Sequence, residues 1–238
     1  PEHVNAAVEL VDKNVDEGRG DAVAVYFEGE EITYSDLRER VDRLGNALLD
    51  VGIEPGDHVF TRFPNRPEYV VACLAAQKIG AVTLPSMKLL QAEEISYVLN
   101  DATPTTAIVH DKLLAEVEEA LESTNVDVEN IVVCERTGID HDHHSYDALM
   151  EQSSATLYPY ETKRDDAVML AYTSGTTGQP KGTLHTHREM LAINDGYANY
   201  CLDPSENDVF CSNAPIAFTF GYGLEVSMPF RFGASTVL

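Results

Sequence analysis

Short apolar runs of strand length alternate with helix-length stripes along most of the chain, and this alternation limits the fold more than any other feature. His58 to Arg62, Ala81 to Leu84, Thr106 to His110 and Ile131 to Cys134 read as strands. Between them, Pro67 to Ile79, Glu93 to Leu99 and Lys112 to Leu121 read as helices, the first stopped by Gly80. Strand, helix, strand in succession puts neighbouring strands parallel and helices on both faces. The expected class is α/β, with mostly parallel sheets flanked by helices. Ahead of this series, Val4 to Val15 carries a helical stripe. Ala22 to Phe27 and Ile32 to Tyr34 flank Glu28-Gly29-Glu30, a hairpin signal. Ser35 is the expected cap of a helix whose Leu37, Val41, Leu44, Leu48 and Val51 share one face before Gly52 ends it.

The second half of the chain begins with a change of composition. Between Glu135 and Asp166 the chain is polar, and then Ala167 to Tyr172 forms an apolar run with the look of a buried strand. It leads into Tyr172 to Gly182, YTSGTTGQPKG. Gly175 and Gly178 let the backbone take dihedrals that other residues resist, so that successive amide hydrogens face one centre. Thr173, Ser174, Thr176 and Thr177 add hydroxyl donors, and Lys181 adds a mobile positive charge. Such a segment suits a polyphosphate, and the carboxyl end of a strand is where open α/β sheets bind ligands. A solvated turn has the same residue types. The Walker template GxxxxGK[ST] fails, because Pro180 precedes Lys181 and Gly182 follows it. Thr183 to Thr186 extends the loop into a strand, and Arg188 to Tyr200 reads as a helix with His187 at its start in a capping and packing role. Asp208 to Pro215 reads as a further strand, Ile216 to Gly223 as a glycine-hinged aromatic turn, and Ala234 to Leu238 as part of a strand. Phe218, Phe220 and Tyr222 offer flat apolar walls to a ring, or else serve as core aromatics.

Composition excludes several classes. With 238 residues, 44% of them hydrophobic, the chain can bury a substantial core. It has no apolar run approaching the roughly twenty residues of a membrane span, and its start lacks a basic, apolar leader, so a soluble cytoplasmic protein is expected. Cys73, Cys134, Cys201 and Cys211 show no CxxC spacing and are expected to be reduced and buried. His141-Asp142-His143-His144 lacks a partner cluster, so a solvated loop is expected there rather than a metal site. Against 16 basic residues stand 40 acidic ones, for a formal charge of −24. That balance argues against a nucleic-acid partner. The acids are spread along the chain and lysines are few, which suits the surface of a halophilic protein working in high salt.

The undecapeptide YTSGTTGQPKG resembles the signature loop of the adenylate-forming superfamily, which holds acyl-CoA and aryl-CoA synthetases, peptide-synthetase adenylation domains and luciferases. In that family the loop closes over the β- and γ-phosphates of ATP. PIAFTFGYG, at Pro215 to Gly223, departs from the common Phe-His pattern by placing Ala217 and Phe218 there, and is similar to the version in benzoate- and 2-aminobenzoate-type CoA ligases. TLPSMKLL, at Thr83 to Leu90, followed by Glu93 and Glu94, resembles a loop of the same aryl ligases; Lys88 within it receives no role. The resemblance implies ATP, Mg2+ and CoA as reaction partners of a small carboxylic acid. It implies nucleotide binding by Thr173, Ser174, Gly175, Thr176, Thr177, Gly178 and Lys181, with Lys181 also catalytic. It further implies an acid pocket at Ala217, Phe218, Tyr222 and Gly223, and no metal ligand within these residues, the segment that holds adenine and magnesium lying outside them. It divides the chain into a first α/β subdomain over 1–160 and the start of a second over 161–238, and it expects a fragment without the later adenine- and ribose-binding segments and the C-terminal domain. The expected reaction is an acid plus ATP giving an acyl-adenylate, then a CoA thioester, AMP and pyrophosphate. A fatty acyl-CoA synthetase, a carrier-protein loading domain and a non-catalytic nucleotide- or acyl-binding module stay open at this level.

Overall fold

The computed structural model describes residues 1–135, 142–173 and 179–238. In chain order the elements are β1 (Val23–Phe27), β2 (Glu30–Thr33), α1 (Tyr34–Asp50), β3 (His58–Arg62), α2 (Pro67–Lys78), β4 (Val82–Ser86), α3 (Ala92–Ala102), β5 (Thr106–His110), α4 (Leu114–Glu122), β6 (Asn130–Cys134), β7 (His144–Ser145) and α5 (Tyr146–Gln152). They continue with β8 (Ala167–Thr173), β9 (Lys181–Thr186), α6 (His187–Ile193), β10 (Val209–Cys211), α7 (Thr219–Tyr222), α8 (Met228–Arg231) and β11 (Ser235–Val237). A π-helical stretch, Asn194–Leu202, prolongs α6, and another, Gly223–Ser227, joins α7 to α8.

Among the described residues the strands form two sheets. A seven-stranded sheet has the order β7-β6-β5-β3-β4-β8-β9, parallel except for the antiparallel pair β8 and β9. A four-stranded sheet has the order β10-β11-β1-β2, parallel except for the β1–β2 hairpin. Both sheets draw strands from either side of residue 160. The mostly parallel α/β architecture expected from the alternation is the one observed.

Apolar burial sorts the helices. Val70, Leu74 and Ile79 of the α2 region join α1 residues such as Leu44 and Leu48 in one core, while Ile95, Leu99 and Val117 of α3 and α4 pack on Phe60 and Leu84 in another. The two cores lie on opposite faces of the large sheet, as alternating crossovers require. Because α2 is covered on nearly all sides, Lys78 near its end is buried and sits between Asp12 Oδ1 at 2.6 Å and Asp42 Oδ1 at 2.5 Å. An uncompensated charge there would be costly, and the two carboxylates supply the compensation.

Several local expectations are corrected. The cap of α1 is Thr33 and not Ser35: Thr33 Oγ1 accepts from the Asp36 N–H at 3.1 Å, and Asp36 accepts from the Thr33 N–H at 3.1 Å. This reciprocal pair satisfies two free donors at once and leaves Ser35 inside the first turn. The strand expected over Asp208 to Pro215 is confined to Val209–Cys211, because side-chain bonds from Asn65 capture the backbone at Ala214 and Ile216. All four cysteines are free thiols, but only Cys73 and Cys134 are buried. Cys211 is on a sheet edge and Cys201 on the outer side of the π-helical stretch, so both are exposed.

Candidate functional site

The site grows from the end of β8. Val168, Met169 and Ala171 bury one face of that strand, and Thr173 emerges exposed at its carboxyl end. Antiparallel pairing sets Tyr172 opposite Gly182 and Thr173 opposite Lys181. Gly182 lies close under its neighbours: a Cβ there would stand 2.9 Å from Leu170 Cδ1 and 3.2 Å from Tyr172 Cζ, both side-chain atoms. Across this gap the Tyr172 hydroxyl donates to Asp101 Oδ2 of α3 at 2.5 Å, which ties the strand to the neighbouring helix. Burial and the Asp101 carboxylate together push the Tyr172 hydroxyl well above the ordinary phenol range, so it stays protonated as the donor. Lys181 is exposed and forms no ion pair among the described residues. Ser174, Gly175, Thr176, Thr177 and Gly178 lie outside the described residues.

Beside this strand pair opens a cavity of about 650 Å³. Met169 and His185 of β8 and β9 form its floor, and Met190, Ile193 and Tyr197 form one wall. Thr219, Phe220, Tyr222, Gly223, Ser227 and Met228 form the other. Its size and apolar lining suit a small organic ligand. Glu189 stands at the rim, where the Thr186 N–H and hydroxyl hold its carboxyl below the usual range. Tyr222 is buried, and its hydroxyl donates to Gln77 Oε1 at 3.0 Å. Gln77 Nε2 in turn lies 3.5 Å from Thr83 Oγ1, which donates to the Val168 carbonyl at 3.1 Å. A chain of buried polar groups thus runs from the cavity wall through α2 and β4 to β8.

A second, smaller cavity of about 300 Å³ sits where the large sheet changes direction. After β3 the chain passes to α2 on one face, and after β4 it passes to α3 on the other, so the two loops diverge and leave a crevice. Phe63, Pro64 and Asn65 line one side, Met87, Lys88 and Leu89 the second, and Asn213, Pro215 and Ala217 close it. The buried Arg62 guanidinium shapes the loop after β4: it donates to the Met87 carbonyl, to Lys88 O at 3.2 Å and to Leu90 O at 2.8 Å. The order of the strands creates the crevice, and Arg62 holds it open.

The residues expected in one acid pocket are divided by the structure. Tyr222 and Gly223 line the large cavity, Ala217 lines the small one, and Phe218, 37% exposed, lines neither. Phe218 is the residue just before α7, so the helical turn carries Thr219, Phe220 and Tyr222 toward the large cavity and leaves Phe218 outside. Thr219, Met190 and Tyr197 were missed by sequence reasoning; the helical stripe after Lys181 was the available signal for the last two. His187 packs: it is buried, and its Nδ1 accepts from the Ala6 N–H at 3.0 Å. Burial pushes its imidazole down to about 4, so the ring is neutral at pH 7. His143 of the histidine cluster lies 3.0 Å from Glu118, and among the described residues no group of three metal-ligating side chains gathers. No helix among them is long and apolar enough to cross a membrane.

Comparison with known proteins places these features in a family. The family model for AMP-binding enzymes matches residues 11–238. The chain is 32% identical to acetyl-coenzyme A synthetase of Citrobacter koseri, covering 99% of this chain and 39% of that protein. It is also 32% identical to benzoate–CoA ligase of Thauera aromatica, covering 100% of this chain and 44% of that protein. The solved anthranilate CoA ligase AuaEII, in complex with anthranoyl-AMP, superposes with a TM-score of 0.95 at 29% identity, over 100% of this chain and 45% of that one. A benzoate CoA ligase from Burkholderia xenovorans gives 0.87 at 27% identity, over 99% and 45%. The chain spans about two fifths of the length of the curated relatives it matches. It belongs to the AMP-binding enzyme family, whose members among these relatives are acid–CoA ligases.

Proposed function

We propose that this chain carries the triphosphate loop and part of the acid pocket of an ATP-dependent acid–CoA ligase, acting on an aromatic acid of the benzoate or 2-aminobenzoate class. The observation that carries the reading is the apolar cavity of about 650 Å³ lined by Met169 and His185 of the β8–β9 pair, the same two strands that carry Thr173 and Lys181 four residues further along. Acetate needs far less room, whereas an aromatic ring makes use of Phe220 and Tyr222 in the wall. The solved relative bound to anthranoyl-AMP supports the same choice.

In this reading the acid carboxylate attacks the α-phosphorus of ATP, pyrophosphate leaves, and the acyl-adenylate then passes its acyl group to the thiol of CoA with release of AMP. Bringing a carboxylate to a triphosphate sets anion against anion, so the barrier is electrostatic. Lys181, the hydroxyls of Thr173, Ser174, Thr176 and Thr177, and the amides at Gly175 and Gly178 would spread that charge. The exposed Thr173 hydroxyl and the Lys181 ammonium fit such a role in chemistry and in access. Magnesium, arriving with the nucleotide, would supply further charge neutralisation. The cavity wall fixes the acid's direction of approach.

Pyrophosphate exchange tests the reading. On the full-length gene product, benzoate or 2-aminobenzoate should drive exchange of labelled pyrophosphate into ATP, and acetate should do so poorly. Exchange driven by no acid, with ATP and acid still binding in calorimetry, would favour a nucleotide- and acyl-binding module. Preference for acetate or a long-chain acid would overturn the aromatic assignment.

A further inference from the structure

Asn65 uses its whole amide on one short segment and the helical stretch that follows it. It stands in the loop between β3 and α2, and its Nδ2 donates to the Ala214 carbonyl at 2.9 Å and to Glu225 Oε2 at 2.9 Å. Its Oδ1 accepts from the Ile216 N–H at 3.0 Å. The side chain therefore pairs with the backbone on both sides of Pro215, much as a neighbouring strand would, where proline itself offers no donor. Because the Ile216 N–H can only donate, the direction of the amide is fixed, and Glu225 holds the remaining hydrogen.

Glu225 is an unusual residue to find here. It lies in the π-helical stretch between α7 and α8, fully buried, and its Oε1 has no hydrogen-bond partner among the described residues. Burial pushes its carboxyl up to about 7. A buried carboxyl with one oxygen unsatisfied costs stability, so the contact it does make needs a reason. The segment it helps to hold leads straight into the cavity wall: Phe218 N–H donates to the Pro215 carbonyl at 3.0 Å, Tyr222 N–H to the Phe218 carbonyl at 2.8 Å, and Thr219, Phe220 and Tyr222 follow as lining.

We propose that Asn65 and Glu225 form a positioning pair that fixes the Ala214–Ile216 backbone and thereby sets where the acid-binding wall stands. Neither residue lines the large cavity, so both act through the segment between them. The inference rests on the ligase reading of that cavity for its kinetic consequence, but the geometry of the pair is independent of it.

Two measurements test the pair. Hydrogen exchange on the full-length gene product should show the Ile216 amide exchanging about tenfold faster in Asn65→Ala than in wild type, the effect of losing one hydrogen bond, while Glu225→Gln, which keeps an acceptor for Asn65, leaves it nearly unchanged. Unaltered protection of Ile216 in Asn65→Ala overturns the proposal. In steady-state assays on the full-length gene product, Asn65→Ala should raise KM for the aromatic acid about tenfold and leave KM for ATP within twofold. Asn65→Asp should be worse, since it sets one carboxylate against another, and adding Glu225→Gln to it should recover most of the loss by returning a donor to the pair. Equal rises in both KM values, or no recovery in the double variant, overturns the proposal as well. If the wild-type gene product shows no acid-dependent pyrophosphate exchange, the ligase reading falls and the exchange rate of Ile216 alone decides the pairing.

Discussion

Thr173 and Lys181 stand opposite one another across the β8–β9 pair, so a hydroxyl and an ammonium are held at the two stems of one connection. Lys181 is exposed and holds no salt bridge among the described residues, so its removal should leave the fold intact. Lys181→Ala is expected to lower acid-dependent pyrophosphate exchange in the full-length gene product by about 100-fold or more, in line with the loss of one charge stabiliser at a phosphoryl centre. Its thermal midpoint should match that of wild type. Exchange at the wild-type rate would remove Lys181 from the proposed machinery.

Gly221 packs against the turn that begins the cavity wall. A Cβ at this position would lie 2.0 Å from the Pro215 carbonyl oxygen and 3.1 Å from that of Ala214, both of them backbone atoms. Gly221→Ala should therefore cost about 3 kcal/mol or more in urea unfolding. Gly196, with nothing within 4 Å of its Cβ position, is the control. Gly196→Ala sits in a helical stretch and should be neutral or stabilising by about 0.5–1 kcal/mol.

His187 should make stability depend on pH on the acid side. Its folded imidazole is pushed down to about 4 by burial, against an unfolded value near 6.5. Above pH 6.5 the ring is neutral in both states and its contribution is intact. As pH falls from 6.5 toward 4, the unfolded chain takes up a proton that the native chain refuses, and stability declines by about 3 kcal/mol in all. His187→Asn keeps an acceptor for the Ala6 N–H but cannot titrate, so its unfolding free energy should fall less steeply over that window. Parallel curves for wild type and variant would count against the assignment.

The formal charge of −24 predicts a salt effect on the whole molecule. Raising KCl from about 0.1 M to 2 M shortens the screening length from about 10 Å to a few ångströms and relieves repulsion among the acids. The thermal midpoint should rise by about 5–10 °C. A flat or falling midpoint would argue for an acidic protein of low-salt habitat.

Much of the large sheet was legible because its strands are buried on both faces and stand out as apolar runs, as at Thr106–His110 and Asn130–Cys134. The helix at Pro67–Lys78 was legible from proline at its start and Gly80 beyond its end. The site was less so. Ala217 and Phe218 fall on an extended turn just before a helix begins, and only the helix start decides which neighbouring side chains face the cavity. Asn65 and Arg62 carry no local signal at all, since their partners lie 149 and 24 to 28 positions away in sequence. The middle of the loop, Ser174 to Gly178, was the strongest signal in sequence and falls outside the described residues.

The placement of β11 between β10 and β1 has a temporal meaning. Val25 finds its parallel partner at Thr236, so the hairpin of β1 and β2 must wait for β11, about 200 residues later, before its second edge is covered. At a synthesis rate of about 5–20 residues per second, that delay is on the order of 10–40 s. During translation the large sheet can assemble first, while the exposed margin of the early hairpin remains open to wrong pairings until β11 arrives.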